Sequence, residues 1–296
     1  MTKEELERKW ENLTISDNFI FSKVMRNKEN CKEVLIRVLP HIEIKDIEVI
    51  EYEKVIESTL GGKGVRLDVY VDDGETVYNV EMQTSGVDDL AKRSRFYQAQ
   101  IDIECLQKGH KYYTLKDSFV IFICTFDLFG KGLPVYTFSN ACKENKELFL
   151  KDGTTKIFLN ASGYTEVEDE KLAEFLRFVD TVNNKGFATG DDFIGKLVNE
   201  VESIKENRDW RVEYMSMNAT LDYEVWQGEL RGEARGEARG EARGEARGEA
   251  RGKIEGKMII AKKMIQRGKP IEEIMEFTEL TLSEIEELKN KMILDM

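Results

Sequence analysis

Asp68 and Glu81 are the residues from which chemistry could come. They lie in RLDVYVDDGETVYNVEMQ (66–83), where two apolar stretches flank a DDGE turn and each carries one carboxylate in its middle. A buried, unpaired charge is costly, so an acidic residue inside a strand needs a reason. With Asp73-Gly74 as the loop of a hairpin, Asp72 opposes Glu75, Asp68 opposes Asn79 and Arg66 opposes Glu81. Opposed residues share a face. Arg66, Asp68, Asn79, Glu81 and Gln83 then project from one side, while Val65, Leu67, Val69, Val71, Tyr78, Val80 and Met82 fill the other. The two carboxylates are expected on a diagonal of roughly 7–8 Å between backbones, which their side chains can close around a cation. A slip of one residue would send them to opposite faces. The same spacing also describes a solvated strand face, and the hairpin alone leaves both readings standing.

The following helix adds a second group. Arg93, Tyr97, Gln100 and Glu104 fall at helical spacing on one stripe. A cation, a phenol and an amide beside two carboxylates suit the holding of a phosphodiester, although a charged stripe is also what a solvated helix face looks like. Histidine offers little competition, because His41 and His110 are isolated and neither has a supporting motif. The four cysteines, Cys31, Cys105, Cys124 and Cys142, stand singly with no zinc-ligand spacing and read as small reduced core residues. Acid–base or metal chemistry must therefore fall on carboxylates.

The elements that would position these residues follow from periodicity. Helices are expected over 2–12 and 17–39, with Ser16 or Asp17 as the second helix's N-cap and Pro40 stopping it. Alternation predicts a strand over 42–58, then strands over 65–72 and 76–83, a helix over 88–109, and strands near 118–126, 134–139 and 155–160. Helices close the region at about 166–182 and 191–208. The order indicates a mixed α/β fold. GGKG (61–64) precedes a strand, whereas a phosphate-binding loop opens a helix, so it reads as a flexible connection.

Beyond this region the character changes. RGEA repeats five times from Arg231 to Ala250. Wound as a helix, the repeat stacks Arg over Arg and Glu over Glu, and its glycines each cost about 0.8–1 kcal/mol relative to alanine. A long, weakly stable helix that a partner helps to hold is one reading; a low-complexity linker is the other. Residues 254–294 then suggest a small helical bundle, with Pro270 opening one helix and Thr281-Leu-Ser-Glu284 forming a capping box for the next. Few cations on the last helix argue against base reading and for packing or self-association. We divide the chain into a domain over 1–210, a repeat helix or linker over 211–252, and a helical end over 253–296.

A net charge of −13 argues against a general nucleic-acid coat but leaves room for a local basic groove. The longest apolar run, FVIFICTF (119–126), fits a buried strand and is too short for a bilayer, and the opening residues carry no apolar leader. The expectation is a soluble cytoplasmic protein.

In this order, LTISDNFIFSKVM, RLDVYV, NVEMQ, KRSRFYQAQID and QKGHKYYTLKDSFVIFI resemble the PD-(D/E)XK nuclease family known as recombination-promoting nucleases or transposases, over roughly residues 12 to 160. The resemblance implies a restriction-endonuclease-like core, a mixed β-sheet flanked by helices, with a long helical, repeat-containing tail and a small α-helical end. It implies Mg²⁺-dependent cleavage of DNA, with Mn²⁺ as a substitute, and no nucleotide or organic cofactor. Asp68 takes the place of the motif aspartate and Glu81 that of the second acid, with the Met82 carbonyl as a third ligand. Gln83 stands where many relatives carry lysine, and Arg93 and Tyr97 match the family's positions on the following helix. An amide can orient a water but cannot lower its pKa as a cation would, so Arg93 or a second metal must supply that charge. Asp17 is an additional candidate contributor, with an equally good role as an N-cap. The expected function is a metal-dependent DNA endonuclease linked to recombination or mobile elements, acting as a homo-oligomer. The alternative is a weakened nuclease fold that serves as a DNA-binding or protein-interaction module and oligomerises through its tail.

Overall fold

The computed structural model describes residues 2–56, 64–86, 89–106, 108–181 and 187–294. The GGKG connection lies outside them except for Gly64, as do the last two positions of the expected 42–58 strand. Two compact units divide the chain, Met1–Asn218 and Ala219–Met296.

The first unit is built on a six-stranded sheet in the order β1-β2-β3-β4-β6-β5. Its strands are β1 (Val49–Ile56), β2 (Val65–Asp72), β3 (Thr76–Gln83), β4 (Asp117–Cys124), β5 (Val135–Phe138) and β6 (Thr154–Asn160). β1, β2 and β3 pair antiparallel, β3-β4 and β4-β6 run parallel, and β5 returns antiparallel at the edge. A parallel β3-β4 pair needs a crossover, and helix α4 (Leu90–Cys105) supplies it. β3 is thus an interior strand, buried on both faces.

Helices cover both faces. α1 (Lys3–Glu11), α2 (Asn18–Val24), α3 (Lys28–Val38), α5 (Glu170–Asp180) and α6 (Asp192–Glu206) contribute to one core with Val69, Val71, Tyr78, Val80, Met82, Ile121 and Ile123 from the sheet. α4 lies on the other face, where Leu90, Tyr97 and Ile101 meet Leu67, Tyr70, Val77, Val120, Phe122 and Phe158. The single helix expected over 17–39 is two helices. Asn27 ends the first by capping the second, its side chain accepting from the Glu29 N–H at 2.9 Å. The strand expected over 42–58 is regular only from Val49, and the helix expected to reach Gly109 stops at Cys105.

The hairpin register also differs from the expected one. Asp73 N–H bonds the Thr76 carbonyl at 3.1 Å, so Gly74-Glu75 are the loop, and Tyr70 pairs with Asn79 rather than Asp68. Gly74 takes the positive φ, +93°, that a two-residue hairpin loop wants at its first position. The correction is a shift of two residues, which moves every pair along the strand but does not by itself change the face of any side chain. A second correction concerns the apolar side of β2: Val69 and Val71 join the first core, whereas Val65 and Leu67 join the second.

In the second unit, α7 (Arg208–Gln266, its first residues in the first unit), α8 (Ile271–Thr278) and α9 (Leu282–Leu294) share a small core of Ala261, Ile274, Leu280, Ile285 and Leu288. Thr281 and Glu284 form the expected reciprocal cap. Among the described residues no helix is long and apolar enough to cross a membrane.

Replacing Gly74 tests the register. Its φ of +93° strains any L residue, and a Cβ would stand 2.9 Å from Glu48 Oε1. Gly74→Ala should lower the unfolding free energy by about 1 kcal/mol or more in urea titrations; an unchanged midpoint would contradict the turn assignment.

Candidate active site

Asp68 and Glu81 face each other directly where the sheet is deformed. The β2-β3 pairing ends at Val69–Val80, and on the other side of β2 the pair that Asp68 would make with Glu53 is missing, with Glu53 at φ +48°. The carboxylates occupy the opening. Asp68 N–H donates to Glu81 Oε1 at 3.1 Å, and Met82 N–H donates to Asp68 Oδ2 at 3.2 Å. This local rotation of β2 is why Leu67 and Val69 pack on opposite faces.

Both carboxylates are nearly enclosed, Asp68 at 9% and Glu81 at 3% exposure. Burial pushes the Asp68 carboxyl up to about 6, opposed by the Met82 N–H and by Arg66 and Arg93. Burial also drives Glu81 well above the ordinary range, and the negative charge of Asp68 drives it further. Two like charges this enclosed cannot both ionise cheaply without a cation.

Arg93 offers positive charge here, its Nη2 4.0 Å from Glu81 Oε2. It also donates to Gln83 Oε1 at 3.2 Å and to the Tyr97 hydroxyl at 3.0 Å. Gln83 spends its other end on the Ser85 carbonyl at 2.9 Å, so both halves of its amide are engaged. Gln83 therefore positions Arg93. Tyr97 in turn stacks on Phe122 at 6.1 Å, which fixes the α4 side of the site against β4.

A cavity of about 300 Å³ opens over the pair, lined by Asp68, Glu81, Met82, Gln83, Arg93 and Tyr97 among others. The structure thus brings together Asp68, Glu81, Met82 and Gln83 from the hairpin, but not Asn79, and two of the three substrate-binding candidates from α4. Gln100 is buried and does not line the cavity. Asp17 caps α2, accepting from Phe19 N–H at 2.9 Å, and lines a separate cavity of about 450 Å³ with Thr84, Thr125 and Asp180. Its neighbour Asn18 reaches the site instead, as do Arg66 and the half-exposed Phe96. Phe96 carried a signal in the sequence, an aromatic set among exposed charges; Asn18 carried none.

The donor set suits a hard divalent ion. Among the described residues, Asp68 Oδ1 has no hydrogen bond and Glu81 Oε2 has only the distant Arg93, so each carboxylate keeps one free oxygen. No cluster of three or more His, Cys, Asp or Glu side chains suited to a metal occurs among the described residues, which leaves two side-chain ligands. Mg²⁺ commonly accepts so few, completing its shell with carbonyl oxygen, water and substrate phosphate. His41 and His110 are exposed and lie outside the lining of this cavity.

A mixed sheet flanked by helices, with two acids on an antiparallel pair and Arg93 brought over them by α4, defines a nuclease-like α/β class. The chain belongs to the PD-(D/E)XK nuclease family transposases, whose family profile matches residues 16–227. No curated protein and no solved structure matches it significantly.

The buried acids make stability pH-dependent. Asp68 holds its proton to higher pH folded than unfolded, so the stability this contributes is lost as pH rises from about 4 towards 6. Metal-free protein should lose a few kcal/mol of unfolding free energy across that window that Asp68→Asn does not lose. Denaturant titrations from about pH 4 to about pH 7 check this; parallel curves for the two proteins would contradict it.

Proposed function

We propose that the chain is a metal-dependent DNA endonuclease, hydrolysing phosphodiester bonds in recombination or mobile-element activity. One observation carries the reading: two enclosed carboxylates converge on one face of adjacent strands, each with a free oxygen, beside an arginine held at the cavity wall. Asp68 and Glu81 would hold Mg²⁺, or Mn²⁺ in its place, with the Met82 carbonyl as a further ligand. The ion would activate water and offset charge developing on the phosphate. Arg93 stabilises the phosphate's added charge from the α4 side, held in place by Gln83 and Tyr97. Phe96 and Arg66 form the rim that meets the flanking strand. Gln100 acts only through the packing of α4.

The engaged amide of Gln83 favours a second reading, in which the fold binds DNA or protein without cutting. Plasmid cleavage separates them. Purified protein should nick or linearise plasmid DNA with Mg²⁺ or Mn²⁺, and Asp68→Ala should reduce the rate by at least about 10³-fold. Cutting by that variant at the wild-type rate would remove Asp68 from the mechanism.

We also infer self-association through α7. Among the described residues the repeat arginines Arg235, Arg239 and Arg243 and glutamates Glu233, Glu237 and Glu241 make no ion pair, although Arg251 and Lys253 beyond them do. Trp226, Leu230 and Ile254 project at least 42% exposed, on the column of the repeat alanines. Two copies side by side in parallel would set each arginine column against the partner's glutamate column, whereas an antiparallel pair would oppose like charges. Light scattering should give more than one chain per particle at low salt, a smaller mass at high salt, and a single chain after truncation at Gly228. An unchanged mass on truncation would discard the tail as the contact.

A further inference from the structure

Among the described residues of the first unit, Asn79 is the least satisfied buried polar side chain. It sits in the middle of β3, between Tyr70 on β2 and Val120 on β4, and is fully buried. Neither its amide nitrogen nor its amide oxygen has a hydrogen-bond partner. Among the described residues three side chains have an enclosed polar atom so deprived, and the other two differ: Gln98 still donates to Asp102 and Ser118, and Tyr214 lacks a partner only for its single hydroxyl. A buried amide left unsatisfied in this way destabilises the fold. An apolar side chain of similar size would avoid that cost, so packing alone does not account for the asparagine.

Its position suggests what it is for. Residues two apart on a strand share a face, and Asn79 shares the α4-facing side of β3 with Glu81. Asn79 thus stands one strand repeat from Glu81 on that face, with its buried amide nitrogen unpartnered. Glu81 meanwhile spends Oε1 on the Asp68 N–H.

We infer that Asn79 is a positioning residue for the metal site: its amide nitrogen donates to Glu81 once that carboxylate turns its oxygens towards a bound divalent ion. The free donor waits, unpaired, for the orientation that the ion selects. Partners behind a metal ligand that fix its orientation commonly contribute 10–100-fold to metal affinity. The inference rests on Asp68 and Glu81 holding a divalent ion, and not on cleavage.

Asn79→Leu separates this role from a structural one, because the two effects have opposite signs. Replacing an unpaired buried amide by an apolar group of the same branched shape should raise the thermal midpoint of the metal-free protein. The same variant should bind Mg²⁺ at least about tenfold more weakly in calorimetric titrations. Asn79→Ala, which also loses the donor but leaves a cavity, should show the same weakening with a lower midpoint, and it serves if the leucine variant does not fold. Wild-type affinity in a folded variant would overturn the inference alone. A wild-type protein that binds no Mg²⁺ would overturn the metal reading and this role with it.

Discussion

Two like charges enclosed on one face of an interior strand pair form the constraint around which the first unit is arranged. Placed in a regular ladder, Asp68 and Glu81 would be buried acids with no compensation. Here the ladder itself yields: pairing stops at Val69–Val80, and the two carboxylates take the N–H groups of Asp68 and Met82 in place of backbone carbonyls. The local deformation thus satisfies two backbone donors and holds two side chains face to face in a single rearrangement. Burial raises both carboxyls above their ordinary range, and the charge of Asp68 raises Glu81 further.

The overall charge of the chain, −13, gives no hint of the local balance. Around the cavity the acids are countered from α4 and the start of β2 by Arg93 and Arg66, and only Arg93 is fixed by side-chain hydrogen bonds, through Gln83 and Tyr97. A lysine at position 83 would put a point charge next to the pair. Glutamine moves the charge one residue further out and holds it by its amide, so the site keeps a cation with a planar, two-pronged donor suited to phosphate.

Much of this was legible in the residues, and the failures have particular causes. The alternation of 66–83 gave the hairpin and the shared face because parity survives a shift of two residues; the register itself depended on whether Asp73-Gly74 or Gly74-Glu75 turned, which spacing does not decide. The switch of Leu67 and Val69 to opposite faces was hidden, since a periodic pattern assumes an undeformed strand. On α4, helical spacing put Arg93, Tyr97 and Gln100 on one stripe, but only the first two line the cavity, and Gln100 is buried away from it. Asn79 read as one more polar residue on a polar face; only burial without a partner sets it apart.

The central claim, that Asp68 and Glu81 together grip one divalent ion, is open to direct observation. Crystals soaked in Mn²⁺ and measured at the manganese edge should show an anomalous peak within bonding distance, about 2.0–2.3 Å, of one oxygen from each carboxylate. A peak that touches only one of them, or strong manganese sites elsewhere with none between these two, would contradict the account.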